Sequence, residues 1–202
     1  MEAKESVLFG IDIETSGCLF STHHIIAIGY YACRLDGHPL MKKRVAFAGP
    51  HNFEQRCTET FWKPNQSLYE TLMAGAVDVI VGMQTFLRDL DQLDSMYTVA
   101  IVSDNPSFDV AWINNYIDRL FQRRPLNYIH GGTGYRSVYD TDSFSRGVTR
   151  CTYNTPKDFD TVDAKTRKSL GIELPADVVH NHLPENDAHY IVEMHRQTVA
   201  RM

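Results

Sequence analysis

The chain has 202 residues, 43% of them hydrophobic and 22% charged, enough to bury one proper core and short for two, so a single domain spanning 1–202 is expected. Its 20 Lys and Arg against 25 Asp and Glu leave a formal charge of −5, which excludes a protein that coats nucleic acid through a global basic surface; any such contact must be local. Cys18, Cys33, Cys57 and Cys151 form no CxxC pair, against a zinc ribbon and for a reducing compartment, and no charged leader or apolar run of ~18 residues is found, so an intracellular, cytoplasmic protein with no membrane contact is expected.

Val7-Leu8-Phe9-Gly10-Ile11-Asp12-Ile13-Glu14 is an apolar run that ends in two carboxylates one residue apart. Such a run predicts a strand buried on both faces, and side chains two apart on a strand share a face, so Asp12 and Glu14 point the same way. Burying two like charges is costly without compensation, which makes the pair a metal seat or, equally, the point where the strand reaches solvent. Thr15-Ser16-Gly17 reads as a turn, His24 to Cys33 as a second strand, and Leu40 to Ala48, after the Asp36-Gly37 turn, as a third; the three form an antiparallel meander. Phe53 to Trp62 fits neither helix nor strand cleanly. From Ser67 to Leu93 apolar residues recur every three or four positions, predicting one helix or two, followed by a buried strand over Met96 to Val102 and a helix from Phe108 to Phe121. His130-Gly131-Gly132-Thr133-Gly134 reads as a flexible loop, Ser137 to Asp140 as a short strand or turn, and the residues up to Thr155-Pro156 as a polar stretch. A helix over Asp160 to Leu170 capped by Gly171 and a last helix from Pro184 complete the chain. Three strands, then helix, strand and helix, predict an α/β domain with a central mixed sheet flanked by helices.

Two more carboxylates stand at helix starts. Asp109 opens its helix on the apolar stripe of Ile113, Tyr116, Ile117 and Leu120, and Asp187 opens the last helix ahead of Ile191 and Met194. An acidic first turn is ordinary, because the helix dipole favours it; the core-facing position is not. His182, five residues before Asp187 and preceded by His180, is the nearby titratable base. Oxygen ligands suit hard divalent cations, Mg²⁺ or Mn²⁺, and two such ions can activate water for phosphoester hydrolysis while a histidine takes the proton.

Asp12-Ile13-Glu14-Thr15-Ser16-Gly17, Asp104-Asn105-Pro106-Ser107-Phe108-Asp109, and His182 followed five residues later by Asp187 resemble, in order and spacing, the three motifs of the DEDDh 3′→5′ exonucleases. That family includes polymerase proofreading subunits, oligoribonuclease and RNase T, and the resemblance implies a ribonuclease-H-like exonuclease fold. It further implies that Asp12, Glu14 and Asp187 hold one metal, that Asp12 bridges to a second held with Asp109, and that His182 is the general base, with His180 its rival. Thr15, Ser16 and Gly17 would contact the terminal nucleotide through their backbone, and Phe108 takes the family's bulky position. The implied activity is metal-dependent hydrolysis of single-stranded DNA or RNA 3′ ends, releasing nucleoside 5′-monophosphates; the alternatives are a proofreading or repair enzyme on duplex DNA ends, or an inactive nucleic-acid-binding module. Several relatives are dimers, which adds a homodimer to the expectations.

Other features are less diagnostic. Asp140 is assigned to satisfying backbone donors rather than to metal. The basic clusters Lys42-Lys43-Arg44, Arg123-Arg124 and Lys165-Thr166-Arg167-Lys168 read as substrate contacts or as solvated surface, and Phe20, His23, Trp112 and Tyr135 as base-stacking groups or, with better odds, core.

Overall fold

A computed structural model describes residues 4–128, 135–149 and 159–201. The loop at 130–134 and the stretch at 150–158, with Cys151, lie outside the described residues.

Five strands form one mixed sheet: β1 (Ser6–Thr15), β2 (Ile25–Arg34), β3 (Pro39–Ala46), β4 (Thr98–Ser103) and β5 (Val138–Asp140). Their spatial order is β3-β2-β1-β4-β5, with β1, β2 and β3 pairing antiparallel and β4 and β5 added parallel. This is the expected meander with its parallel extension. The helices are α1 (Gln55–Cys57), running into a π-turn at Thr58–Trp62, then α2 (Gln66–Met73), α3 (Val79–Met96), α4 (Asp109–Phe121), α5 (Thr141–Thr149), α6 (Phe159–Leu170) and α7 (Pro184–Val199). None of the described helices is long and apolar enough to cross a membrane.

Alternation along β1 decides which helices cover which face. Val7, Phe9, Ile11 and Ile13 join Phe86 and Leu90 of α3 and Trp112, Ile113 and Tyr116 of α4 in the main core. Leu8 turns the other way and packs with Tyr31, Cys33, Ala188, Ile191 and Val192, the last three from α7. Gly10, Asp12 and Glu14 share that second face by their spacing.

The continuous periodicity of 67–93 resolves into two helices: α2 ends at Met73, and Asp78 starts α3, its side chain accepting from the N–H groups of Ile80 and Val81. Helix α5 replaces most of the polar stretch expected after Asp140. Asp140 nucleates it, accepting from the Ser143 N–H at 2.8 Å and the Ser143 hydroxyl at 2.6 Å, which is the structural role the sequence assigned to it. Gly171 ends α6 in the left-handed region at φ 63°, as a helix-capping glycine does.

Candidate active site

Two glycines bring α7 onto the sheet. A Cβ on Gly10 would lie 2.4 Å from Val192 Cγ2 and 2.5 Å from the Ala188 carbonyl oxygen, and one on Gly29 would lie 1.8 Å from the Pro184 carbonyl carbon. Gly29 is the cross-strand partner of Asp12. Helix α7 therefore rests on bare backbone on either side of Asp12, and Asp187, in the first turn of that helix, is delivered to the strand's carboxylates.

The strand lengths do the rest. Pairing between β1 and β4 ends at Gly10 and Val102, whereas β1 continues beside β2 to Thr15. Asp12 and Glu14 thus extend past the end of β4, where the chain turns through Asp104 to Asp109 and enters α4. Ser103 fixes that turn, receiving the Asn105 N–H and donating its hydroxyl to Asp109 Oδ2 at 2.5 Å. The result is two oxygen clusters with a shared member. Carboxylate atoms of Asp12, Glu14 and Asp187 lie within 4.8 Å of one another, and so do those of Asp12, Asp104 and Asp109. Asp109 and Asp187 are only 3% and 2% exposed.

This concentration of negative charge raises the carboxyl pKa values. Asp12 is pushed well above the ordinary carboxylate range by burial and then by Asp109, Glu14, Asp104 and Asp187. Glu14 is raised by burial and by Asp187 and Asp109. Asp109 is raised by burial and Asp104 against the pull of the Ser103 hydroxyl. Burial also raises Asp187, opposed by His180, His182 and two backbone donors. A partly buried, oxygen-only set of like charges fits hard divalent cations, which would supply the missing positive charge.

Asp187 also organises the histidine loop. Its Oδ1 accepts the Asn181 N–H at 2.9 Å and its Oδ2 the His182 N–H at 3.0 Å. His182 adopts φ 62°, an uncommon conformation for a residue with a Cβ, which the two hydrogen bonds impose. Both imidazoles are exposed around the same carboxylate: His180 Nε2 is 3.5 Å and His182 Nδ1 4.0 Å from Asp187 Oδ2. His180 stacks on Tyr190, while His182 receives the edge of Phe61 at 5.1 Å between ring centroids.

Phe61 reaches His182 because the segment that was ambiguous in sequence is roped to the end of β1. Trp62 Nε1 donates to the Thr15 carbonyl at 3.0 Å, Cys57 Sγ contacts the same oxygen at 3.8 Å, and the Glu54 N–H donates to the Ser16 carbonyl at 2.8 Å. These bonds occupy much of the Thr15-Ser16-Gly17 backbone, and the Ser16 N–H is bonded to the His24 carbonyl. Gly17 lies where a Cβ would strike the His23 ring at 2.4 Å. Phe108 packs at the start of α4 with its ring 6.2 Å from Trp112.

The basic and aromatic candidates separate. Lys43 pairs with Asp89 at 2.8 Å, Arg44 with Glu185 at 3.1 Å and Arg123 with Asp91 at 2.5 Å, while Lys42 lies 3.3 Å from His189 Nδ1. These side chains are tied to helices. Trp112 is fully buried and His23 nearly so, whereas Phe20 and Tyr135 are exposed, Tyr135 to 68%.

Sequence reading missed Asp104 as a cluster member, Ser103 as the support of Asp109, and Gly10 and Gly29 as the seats of α7. A lone glycine inside an apolar strand two residues before a carboxylate was the available signal, since such glycines mark close backbone approach.

The chain matches no family model, and no curated protein matches it. Among solved structures it is similar to E. coli exonuclease I in complex with a dT13 oligonucleotide (15% identity, TM-score 0.62, 98% of this chain and 42% of that one). It is also similar to a product-bound exonuclease I (14%, 0.59, 95% and 43%) and to cell-death related nuclease 4 (13%, 0.62, 98% and 65%). The chain thus spans less than half the length of exonuclease I. The shared architecture is the ribonuclease-H-like exonuclease fold expected from the sequence.

Proposed function

We propose that this chain is a metal-dependent 3′→5′ exonuclease that hydrolyses the terminal phosphodiester of a single strand and releases nucleoside 5′-monophosphates. The observation that carries this reading is the pair of carboxylate clusters sharing Asp12 beside exposed imidazoles, in a fold common to exonuclease I and cell-death related nuclease 4. Asp12, Glu14 and Asp187 would hold one Mg²⁺ or Mn²⁺, and Asp12, Asp109 and Asp104 a second. Held there, such ions would supply the activation of water and the stabilisation of the leaving oxygen.

The protein's own groups do the remaining work. Ser103 orients Asp109, and the Asn181 and His182 N–H groups orient Asp187, so the ligands are set before substrate arrives. His182 takes the proton from the attacking water at one ring nitrogen, a role worth about 10²–10⁴ in rate. His180 is a second candidate, favoured by its shorter distance to Asp187. Phe108 and the turn after Glu14 border the terminal nucleotide.

The test is hydrolysis of matched 5′-labelled DNA and RNA oligomers with Mg²⁺, with Mn²⁺ and with chelator, resolved on a denaturing gel. A ladder that shortens from the 3′ end only with metal is expected, and the faster strand identifies the substrate; the dT13 complex of exonuclease I makes single-stranded DNA the first one to try. Well-folded protein that cleaves neither strand refutes the reading in favour of a binding module.

A further inference from the structure

A cavity of about 250 Å³ opens where the start of β2 and the 47–51 turn meet the C-terminal half of α4. Its floor is apolar, with Ile25, Leu120 and the stacked rings of Phe47 and Tyr116. Its polar groups are His24, His51 and Arg119. Hydrogen bonds to the backbone fix both imidazole tautomers. His51 Nε2 lies 3.0 Å from the Phe47 carbonyl, which can only accept, so the proton is on Nε2 and Nδ1 is a bare acceptor. His24 Nδ1 accepts the Asn52 N–H, which leaves the proton of the neutral ring on Nε2 as a donor. Burial pushes the His51 pKa down, so that ring stays neutral near pH 7. The two rings are 6.3 Å apart, and Arg119 is an exposed cation that forms no ion pair among the described residues.

Hydrogen bonds tie the cavity's His24 to the chain just beyond the carboxylates of β1. Ser16, two residues after Glu14, donates its N–H to the His24 carbonyl and receives the His24 N–H on its hydroxyl, both at 2.9 Å. Tyr116 and Arg119 follow Asp109 in the same helix by seven and ten residues, which at helical rise puts them roughly 10 and 15 Å along the axis from it.

We infer that this cavity receives an upstream nucleotide of the strand whose 3′ end lies at the carboxylates: the base enters over the apolar floor, its hydrogen-bonding edge meets His51 Nδ1 and His24 Nε2–H, and a phosphate meets Arg119. Thymine suits the pair, offering N3–H to the one and a carbonyl oxygen to the other. The inference rests on the exonuclease reading and names the length of strand that the enzyme grips.

The test uses dT2 and dT10 with the wild type and with Arg119→Gln and His51→Ala. Hydrolysis is followed with Mg²⁺, and binding of 5′-fluorescein dT10 by anisotropy with chelator. Each variant should weaken dT10 binding by about fivefold or more, and should lower kcat/KM for dT10 relative to dT2 by a similar factor, because a dinucleotide does not span the distance. In Arg119→Gln the slope of log affinity against log salt should also fall by about 0.7, the loss of one phosphate contact on a single strand. Unchanged dT10 binding, or dT2 and dT10 rates falling in step, overturns the inference. A wild type that hydrolyses neither oligomer, yet binds dT10 in a manner sensitive to both substitutions, upholds the cavity and sinks the catalytic reading instead.

Discussion

Asp12→Asn should abolish hydrolysis and at the same time make the metal-free protein more stable. The substituted side chain keeps its size and loses a charge that belongs to both carboxylate clusters, each with ligand atoms within 4.8 Å. At an effective dielectric of about 20, one such pair of charges costs about 3 kcal/mol. Partial protonation and the solvent on the open side of the cluster reduce the sum over its neighbours to a net gain of about 2 kcal/mol. For a chain of this length that corresponds to a melting temperature higher by roughly 4–8 °C in chelator. The pH dependence has a definite sign. A carboxyl whose folded pKa is raised opposes folding above that pKa and stops doing so below its ordinary range, so the metal-free wild type gains stability as pH falls from above the raised pKa toward the ordinary carboxylate range. The variant should lose part of that gain. Added Mg²⁺ or Mn²⁺ should stabilise the wild type, by about 2.7 kcal/mol at a hundredfold excess over Kd, and leave the variant nearly unmoved. Thermal melts at two pH values, with chelator and with metal, measure every term. A variant that melts lower than wild type in chelator, or that keeps the full metal-induced shift, refutes the assignment of Asp12 as the shared ligand.

Three further outcomes are expected. His182→Ala should lower kcat about 10²–10⁴-fold while metal-induced stabilisation persists; greater damage from His180→Ala, in the same gel assay, would transfer the role of base to His180. Phe61→Ala removes the ring that braces His182 and should lower kcat several-fold, about the value of one aromatic contact, with KM little changed; a pure KM effect in steady-state kinetics would make Phe61 a substrate contact instead. Gly29→Ala forces the start of α7 away from the sheet and should cost about 3 kcal/mol, a fall of roughly 6–12 °C in a melt, whereas a change near zero would show that α7 shifts freely.

The carboxylates were legible one by one because each obeys a local rule. Period two along β1 puts Asp12 and Glu14 on one face, and helical spacing puts Asp109 and Asp187 on core-facing stripes. Their convergence depends on features without a local signature: β4 stopping short of β1, and two glycines that leave room for α7. Asp104 was obscured because it sits in a turn, where periodicity assigns no face. Lys43 and Arg44 look like solvated charge in sequence, and only the packing of α3 and α7 brings Asp89 and Glu185 to them. The helix after Asp140 was missed because Ser, Arg, Gly and Thr lack an apolar stripe long enough to read, and its start depends on a cap.

The paired cations of β3 have a further consequence. Lys43 reaches to α3, where Tyr30 also donates to Asp89, and Arg44 reaches to α7, so the outermost strand is laced to a helix on each face of the sheet. An outer strand normally offers a row of unpaired N–H and C=O groups to any passing strand, and flanking cations make that approach costly. At the opposite margin β5 is three residues long, too short to template a neighbour. The sheet is finished at both margins, which turns association between copies away from strand addition and toward helices and loops.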